Sequence, residues 1–320
     1  MRDLKATREG YTEGLLQAGR ISKRVVVVEG DVSRSIGSAA FGDEFPDRFF
    51  NLGASEQDMM AEAAGLALAG FIPFVSTYGV FMAGRAWEQA RTSVCYMDLN
   101  VRIGGAHGGV SVGPDGATHQ ALEDVAIMRV LPNMKVLVPA DSSQTRAAVL
   151  ASLEMEGPVY IRFGRNPVPQ IYTEDDAVVP GKGNLLRAGR DVTLVACGAM
   201  VAAALDAAKE LSDKKGIEAS VVDMVSVKPL DEELLFTEAS RTGAVVVAED
   251  HQRIGGLFGA VAEKLIGEVT VKTASVAMED SFGTSGAPEV VRRNFGLTAG
   301  AIAEKAEALL ADPREHSPCC

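Results

Sequence analysis

The sequence predicts an α/β protein with two doubly wound domains. Short runs of β-branched residues alternate with helical segments of about 12 residues, which is typical of parallel strands joined by crossover helices. The 33 glycines among 320 residues suit tight strand-to-helix turns, whereas aromatic residues make up only 6%. A chain of this length suggests about two domains.

The first domain is predicted over residues 1–175, and its strands are short β-branched runs bounded by turn residues. Ser55 marks a helix N-cap and Gly70 a helix end, because serine caps helix amides and glycine permits the turn that stops a helix. Residues 31–47 predict a loop, and a helix is expected to begin at Thr118. The other expected elements are a helix at 7–17, strands at 24–30 and 48–53, a helix at 56–70, a strand at 71–77, a helix at 81–93, strands at 100–105 and 134–140, a helix from 142 and a strand at 158–163.

Residues 176–190 predict a linker, because proline, glycine and charged residues interrupt the alternation there. The alternation resumes in a smaller second domain at 191–311, and the tail at 312–320 is expected to be flexible. The expected elements of the second domain are a strand at 191–198, a helix at 203–216, strands at 219–230 and 243–250, a helix at 256–267 and a last helix that ends near residue 310.

Composition and charge exclude several classes of protein. The net charge is −12 and no basic cluster occurs, which argues against nucleic-acid binding, since phosphate neutralisation dominates such binding. No apolar run of about 18 residues occurs, so no membrane span is predicted, and the N-terminus lacks the apolar core of a signal peptide. The four cysteines show neither zinc spacing nor a disulfide framework, so a reducing, cytoplasmic location is expected.

The segment GGAHGGVSVGPDGATHQ, residues 104–120, is the most unusual part of the sequence. It holds six glycines, one aspartate and two of the four histidines. It follows a predicted strand, and ligands of open α/β sheets gather outside the carboxyl ends of strands. Glycine lets the backbone approach a ligand, and the helix N-terminus expected after Thr118 favours anions. The alternative is a flexible surface loop with solvated histidines.

Other candidate residues are ambiguous by local pattern alone. Glu56 stands in the first turn of a helix, where the helix dipole favours acidic residues without any catalytic role. Tyr78 and Phe81 follow a strand, three residues apart, which is more typical of core residues than of a stacking platform. Arg8 and Arg165 would ordinarily form surface ion pairs. The sequence contains no Walker A, metalloprotease, EF-hand or nucleophile-elbow motif.

The order and spacing of several segments resemble the C-terminal half of transketolase. The resemblance covers essentially the whole chain, including the smaller final domain. The segments that carry it are ATR at 6–8, GDVSRS at 30–35, GASEQDM at 53–59, GFIPFVSTYGVF at 70–81, HGGVSVGPDGATHQALE at 107–123, LPNMKVLVPAD at 131–141 and GPVYIRFGRN at 157–166.

The resemblance implies a thiamine diphosphate enzyme, with a pyrimidine-binding domain followed by a transketolase C-terminal-like domain. Full-length transketolases begin with a diphosphate-binding domain that carries a GDG motif, and no GDG occurs in these 320 residues. A separate N-terminal subunit is therefore expected to bind Mg²⁺ (or another divalent cation) and the diphosphate, with no metal held by this chain. A dimer of heterodimers is expected, because the family's active sites lie at symmetric interfaces.

The same resemblance implies a role for each candidate residue. Glu56 would hydrogen-bond the aminopyrimidine ring of the cofactor, Tyr78 and Phe81 would pack against that ring, and Asp31 would approach from the same wall. The substrate-binding residues implied are His107, Asp115 and His119 around the sugar hydroxyls and carbonyl, and Arg8, Ser35 and Arg165 around the sugar phosphate. Catalytic roles are implied for Glu56, His107 and His119. The implied reaction transfers a two-carbon ketol unit from a ketose phosphate to an aldose phosphate.

Three departures from the family pattern leave the substrate open. Gly84 stands where an aromatic residue is usual, Tyr78 stands where phenylalanine is usual, and the segment 107–119 lacks two acidic residues and a proline of the family loop. The alternatives are a deoxyxylulose-phosphate synthase-like or 2-oxoacid dehydrogenase β-type subunit, and a non-catalytic scaffold or regulatory half-subunit. The three phosphate-pocket residues favour transketolase over a 2-oxoacid enzyme, and the retained Glu56 and loop histidines argue against a decayed subunit.

Overall fold

The computed structural model describes residues 3–311. The strands are β1 Leu4–Ala6, β2 Val25–Glu29, β3 Phe49–Asn51, β4 Ile72–Tyr78, β5 Arg102–Ala106, β6 Lys135–Leu137, β7 Val159–Arg162, β8 Pro167–Pro169, β9 Asn184–Arg187, β10 Val192–Ala196, β11 Ala219–Asp223, β12 Ser226–Lys228, β13 Ala244–Gln252 and β14 Lys272–Met278. The α-helices are α1 Thr7–Ile21, α2 Ser33–Ile36, α3 Ala39–Glu44, α4 Glu56–Leu68, α5 Gly79–Arg85, α6 Trp87–Gln89, α7 Asp124–Arg129, α8 Ser142–Ser152, α9 Met200–Lys215, α10 Glu232–Thr242, α11 Leu257–Leu265, α12 Pro288–Asn294 and α13 Ala299–Ala311. A π-helical turn covers Ala90–Cys95, and 3₁₀ turns cover Pro46–Arg48, Val110–Asp115 and Ala117–His119.

The larger sheet has seven strands in the order β12-β6-β7-β5-β4-β2-β3. All neighbouring strands are parallel except β12, which pairs antiparallel with β6. Every residue of β2 is buried, as expected for a central strand covered on both faces. Because parallel strands end at the same edge, Glu29, Tyr78, Ala106 and Arg162 all lie along one edge of this sheet. The predicted mostly parallel α/β fold is confirmed.

Helix α1 places Arg8 at that edge by packing closely against α8. A Cβ atom on Gly10 would lie 1.9 Å from the Ser142 carbonyl oxygen, and one on Gly14 would lie 2.7 Å from the Val149 Cβ. Only glycine allows the two helices to approach this closely. The contact fixes the N-terminal turn of α1, which carries Arg8, above the carboxyl ends of the strands.

The second main sheet has five strands in the order β14-β13-β10-β11-β9. Its strands are parallel apart from β9, which pairs antiparallel with β11. The strand expected at 219–230 is in fact two strands, and the second of them, β12, joins the first sheet. The segment predicted as a linker, 176–190, is not irregular throughout. It contains β9, which pairs with β11. The domain bounds themselves stay a prediction.

Two local predictions are wrong. Residues 31–47 are not a plain loop, because α2 and α3 form there. No helix begins at Thr118: the chain makes a 3₁₀ turn, Gln120 is extended with φ −85° and ψ 111°, and a bridge joins Gly108 to Ala121. These contacts delay the helix until Asp124, so the expected anion-favouring helix N-terminus is absent from residues 118–123.

Other expectations need smaller changes. Ser55 is at the N-cap position of α4, but its hydroxyl donates to the Leu52 carbonyl oxygen and accepts no N–H of the first helical turn. The tail at 312–320, with Cys319 and Cys320, lies outside the described residues. Within residues 3–311, every helix is too short or too polar to cross a membrane.

Candidate active site

Four aromatic rings gather at the carboxyl edge of the larger sheet. Tyr78 ends β4 and Phe81 lies in the first turn of α5, and their rings are parallel within 6° at a centroid distance of 6.0 Å. The His107 ring meets Tyr78 edge-on at 4.3 Å. His119 lies 5.9 Å from Tyr78 and 5.2 Å from Phe81, also edge-on. The structure therefore brings together both predicted ring residues and both loop histidines.

Glu56 lies beside this cluster and is 2% exposed. Its carboxylate accepts a hydrogen bond of 2.8 Å from Arg85, whose guanidinium also lies 4.9 Å above the Phe81 ring. The Arg85 side chain is 54% exposed, so the ion pair closes over the buried carboxylate from the solvent side. The sequence prediction missed Arg85, although its position four residues after Phe81 on one helix is the spacing at which side chains meet.

Two predicted arginines, Arg8 and Arg165, lie near the cluster. Arg8 donates to the Ser35 carbonyl oxygen at 2.8 Å, and the Ser35 hydroxyl lies 3.1 Å from the Tyr78 hydroxyl. Arg165 donates to Asp115 at 3.1 Å, and both side chains are about one-third exposed. Of the three predicted phosphate-pocket residues, Ser35 thus contacts the cluster directly, Arg8 is bound to Ser35, and Arg165 pairs with Asp115, which contacts neither histidine.

His107 is fully buried and has a φ of 58°. Neither ring nitrogen has a hydrogen-bond partner among the described residues. Burial lowers the pKa of His107 to about 4, and the positive charges of Arg165 and Arg8 contribute to the decrease. The imidazole is therefore neutral near pH 7 and presents one donor and one acceptor to a ligand.

Because the pKa of His107 is lowered in the folded chain, the stability of the fold should decrease at acidic pH. Between pH 6.5 and 4 the unfolded chain protonates His107 and the folded chain does not, so its burial reduces stability as the pH falls. From pH 7 to pH 5 this single group should cost about 2 kcal/mol of unfolding free energy. Urea unfolding of wild type and His107→Gln at both pH values should show the smaller loss in the variant. Equal losses would contradict the assignment, since all other titrating groups are shared by both proteins.

Asp31 lies on the turn after β2, with a φ of 63°. Its backbone N–H donates to the Asn51 side-chain oxygen at 3.1 Å, and the Asn51 amide donates back to Asp31 at 3.3 Å. Beneath this turn, the buried Glu29 accepts the Val32 N–H at 2.9 Å, and burial raises the pKa of Glu29 to about 7. Neither Glu29 nor Asn51 was predicted from the sequence, because their role is to shape the turn that presents Asp31.

Comparison with known protein families identifies the family of this chain. Residues 4–170 match the pyrimidine binding domain of transketolase, and residues 181–302 match the C-terminal domain of transketolase. The chain belongs to the transketolase family. A Cβ atom on Gly84, the family departure, would meet no atom within 4 Å, so packing on this chain does not require glycine there.

Three relatives within the transketolase family are similar over nearly their whole length. A 6-deoxy-6-sulfo-D-fructose transketolase subunit of Clostridium sp. (strain MSTE9) is 41% identical, over 93% of this chain and 92% of its own. An apulose-4-phosphate transketolase subunit of Phocaeicola vulgatus is 37% identical, over 94% of this chain and 96% of its own. A solved split gene transketolase, an inactive beta4 tetramer, is 48% identical with a TM-score of 0.87 and covers 95% of this chain and 98% of its own.

Proposed function

We propose that this chain is the C-terminal subunit of a split, thiamine diphosphate-dependent transketolase, and that it transfers a two-carbon ketol unit from a ketose phosphate to an aldose phosphate. One observation carries the proposal: the Glu56 carboxylate, which is 2% exposed, is paired with Arg85, whose guanidinium lies over the Phe81 ring, and that ring is parallel to Tyr78. An aminopyrimidine needs these two features, an acceptor or donor for its ring nitrogen and flat apolar surfaces for its faces.

The residues present fit the pyrimidine end of the cofactor. When bound, thiamine diphosphate supplies the carbon nucleophile that carries the ketol unit. Glu56 would hydrogen-bond the ring nitrogen, and Tyr78 and Phe81 would form an apolar surface against one face of the ring and exclude water. The neutral His107 can donate one hydrogen bond to a developing oxyanion at the substrate carbonyl, with His119 beside it. Asp31 would contact the cofactor from the turn after β2.

The positive charges near the ring cluster favour a substrate with an anionic group at one end. Arg8 and Arg165 both raise the positive potential at His107, which contacts the Tyr78 ring. Guanidinium groups bind phosphate through bidentate, charge-assisted hydrogen bonds. The relatives' names contain a sulfo group in one case and a phosphate in the other, both anionic. We therefore propose that the terminal phosphate of the substrate, or another anionic group, binds next to Ser35, Asp115 and the two arginines.

A second subunit completes the proposed site. The diphosphate and its divalent cation would be bound by an N-terminal transketolase subunit, in a dimer of heterodimers. The inactivity of the related beta4 tetramer is what a lone C-terminal subunit of a split enzyme would show. The cytoplasmic location remains a prediction.

A reconstitution experiment tests the need for this partner. The tagged chain is purified from its native host with any co-purifying protein, and also alone, and both samples are assayed with xylulose 5-phosphate and ribose 5-phosphate and their sulfonate analogues. We expect turnover only in the complex, because half of the cofactor contacts are supplied by the partner. Tight thiamine diphosphate binding by the chain alone, measured by calorimetry, would contradict the incomplete site. A complex that binds the cofactor but transfers no ketol unit would reject the activity.

A further inference from the structure

The loop that carries the two site histidines, residues 107–123 (the histidine loop), has little regular structure of its own. His107, Gly109, Gly113 and Gly116 all have positive φ values, from 58° to 81°. Its only helical turns are two short 3₁₀ turns. Glycine adopts such values without strain, but His107 does not, and a non-glycine residue with positive φ persists only where the surrounding structure fixes it. The position of His107 therefore depends on groups outside the loop.

The first of these groups is Asp250, which lies in β13 of the second sheet and is 5% exposed. Its Oδ1 atom accepts the backbone N–H of Val110 at 3.0 Å. Gly109 packs directly on the same carboxylate, since a Cβ atom there would lie 2.1 Å from Oδ2. The contact is made to backbone only, three residues after His107. It therefore sets the path of the chain and not the chemistry of any loop side chain.

The second sheet and the turn after β14 also hold the rest of the histidine loop. The Gln120 amide donates to the Val110 carbonyl oxygen at 3.2 Å and to the Thr284 carbonyl oxygen at 3.0 Å. The Gln252 N–H donates to the Leu122 carbonyl oxygen at 2.9 Å. The loop is thus fixed at its beginning and its end by the same part of the fold.

Arg162 joins these contacts into one buried network. Its Nη2 donates to the carbonyl oxygens of Ala121, at 2.7 Å, and of Asp250, at 2.9 Å, while its Nε donates to Asp124 at 2.9 Å. A buried carboxylate is costly without a compensating charge; Arg162 forms an ion pair with Asp124, and its positive charge also lies close enough to act on Asp250. Both ends of the histidine loop therefore meet at one charged, water-poor junction between the two sheets.

We propose that Asp250 is a positioning residue of the ketol-transfer site. Its carboxylate holds the backbone of Gly109 and Val110 and thereby holds the His107 ring against Tyr78. The second domain, in this view, has a task in catalysis beyond assembly. The catalytic role of the His107 ring rests on the proposed function, whereas the structural claim that Asp250 fixes the loop backbone does not.

Amide hydrogen exchange on the full chain tests the holding directly. Asp250→Ala should make the Val110 amide exchange at least about tenfold faster, because a hydrogen bond to a charged acceptor is lost. Glu249→Ala is the matched control: Glu249 is the preceding residue of β13, is equally buried, and accepts the N–H groups of Leu257 and Phe258 in α11. This control should leave exchange in the histidine loop unchanged.

Kinetics on the reconstituted complex test the consequence for catalysis. Asp250→Ala should lower kcat/KM about tenfold or more while thiamine diphosphate affinity changes less than about threefold. Asp250→Asn should recover part of the rate, since its amide oxygen can still accept the Val110 N–H. If Asp250→Ala matches Glu249→Ala in both loop exchange and kcat/KM, Asp250 only braces the two domains and the proposal is overturned. A wild-type complex without ketol transfer would reject the proposed function, and the exchange comparison would still decide whether Asp250 holds the loop.

Discussion

Glu56→Ala is expected to reduce kcat of the reconstituted complex by at least about 100-fold, the usual contribution of a positioned proton-transfer group. The carboxylate is 2% exposed and paired with Arg85, so bulk water does not readily take its place. Binding of thiamine diphosphate should also weaken, because the proposed hydrogen bond to the pyrimidine ring is lost. Steady-state ketol transfer and cofactor titration measure the two effects separately.

The competing interpretation of Glu56, an acid that merely stabilises the helix dipole, predicts a different pattern. In that case Glu56→Ala would cost about 0.3–1 kcal/mol of stability and leave turnover intact. Asp58→Ala is the matched control, since Asp58 lies in the same first turn of α4 and is exposed. Comparable turnover in the two variants would remove the catalytic role of Glu56.

Arg165→Ala is expected to raise the KM for a ketose phosphate about 10- to 100-fold, with a smaller change in kcat. Hydrogen bonds from a charged group are worth about 1.5–3 kcal/mol, and each 1.4 kcal/mol is a factor of ten in affinity. Removing the guanidinium also leaves Asp115 without its 3.1 Å partner, and its negative charge then repels an incoming phosphate. Initial-rate kinetics over a range of donor concentrations measure the change.

The same ketose without its phosphate provides the control for Arg165. Its kcat/KM is low in the wild type and should change less than about threefold in Arg165→Ala, because it has no anion to lose. The double variant Arg165→Ala, Asp115→Asn should recover part of the KM increase by removing the repulsion. A KM for the phosphorylated sugar that does not change would reject the phosphate pocket and favour a substrate such as a 2-oxoacid.

The elements that follow strong local patterns were predictable. The observed ends of strand β2 and helix α4 lie within about two residues of the predicted ends. Their signals are local: a β-branched run for the strand, and Ser55 and Gly70 at the two ends of the helix. The region 31–47 was not predictable in this way. Its short helices depend on long-range packing, such as that of the Phe41 and Phe45 rings against Gly19 of α1.

The helix expected at Thr118 shows the same limit inside the candidate site. Its local sequence suits a helix, but the Gln120 side chain is bound to Thr284, which is 164 residues away in the chain. Distant contacts of this kind override weak local propensity. Arg85 is an intermediate case, since the four-residue spacing from Phe81 was visible in the sequence but its ion pair with Glu56 was not.

The sequence alone determined the fold class and the positions of most strands of the first domain, because alternation is a property of the chain, and the order and spacing of its motifs supplied the candidate residues. It also predicted that the histidine loop would follow a strand end, where ligands of parallel sheets gather. Only the tertiary structure decided which residues meet: Arg85 with Glu56, Arg165 with Asp115, and Asp250 with the histidine loop. These contacts join residues far apart in sequence, and their geometry depends on burial and close packing that no local pattern encodes.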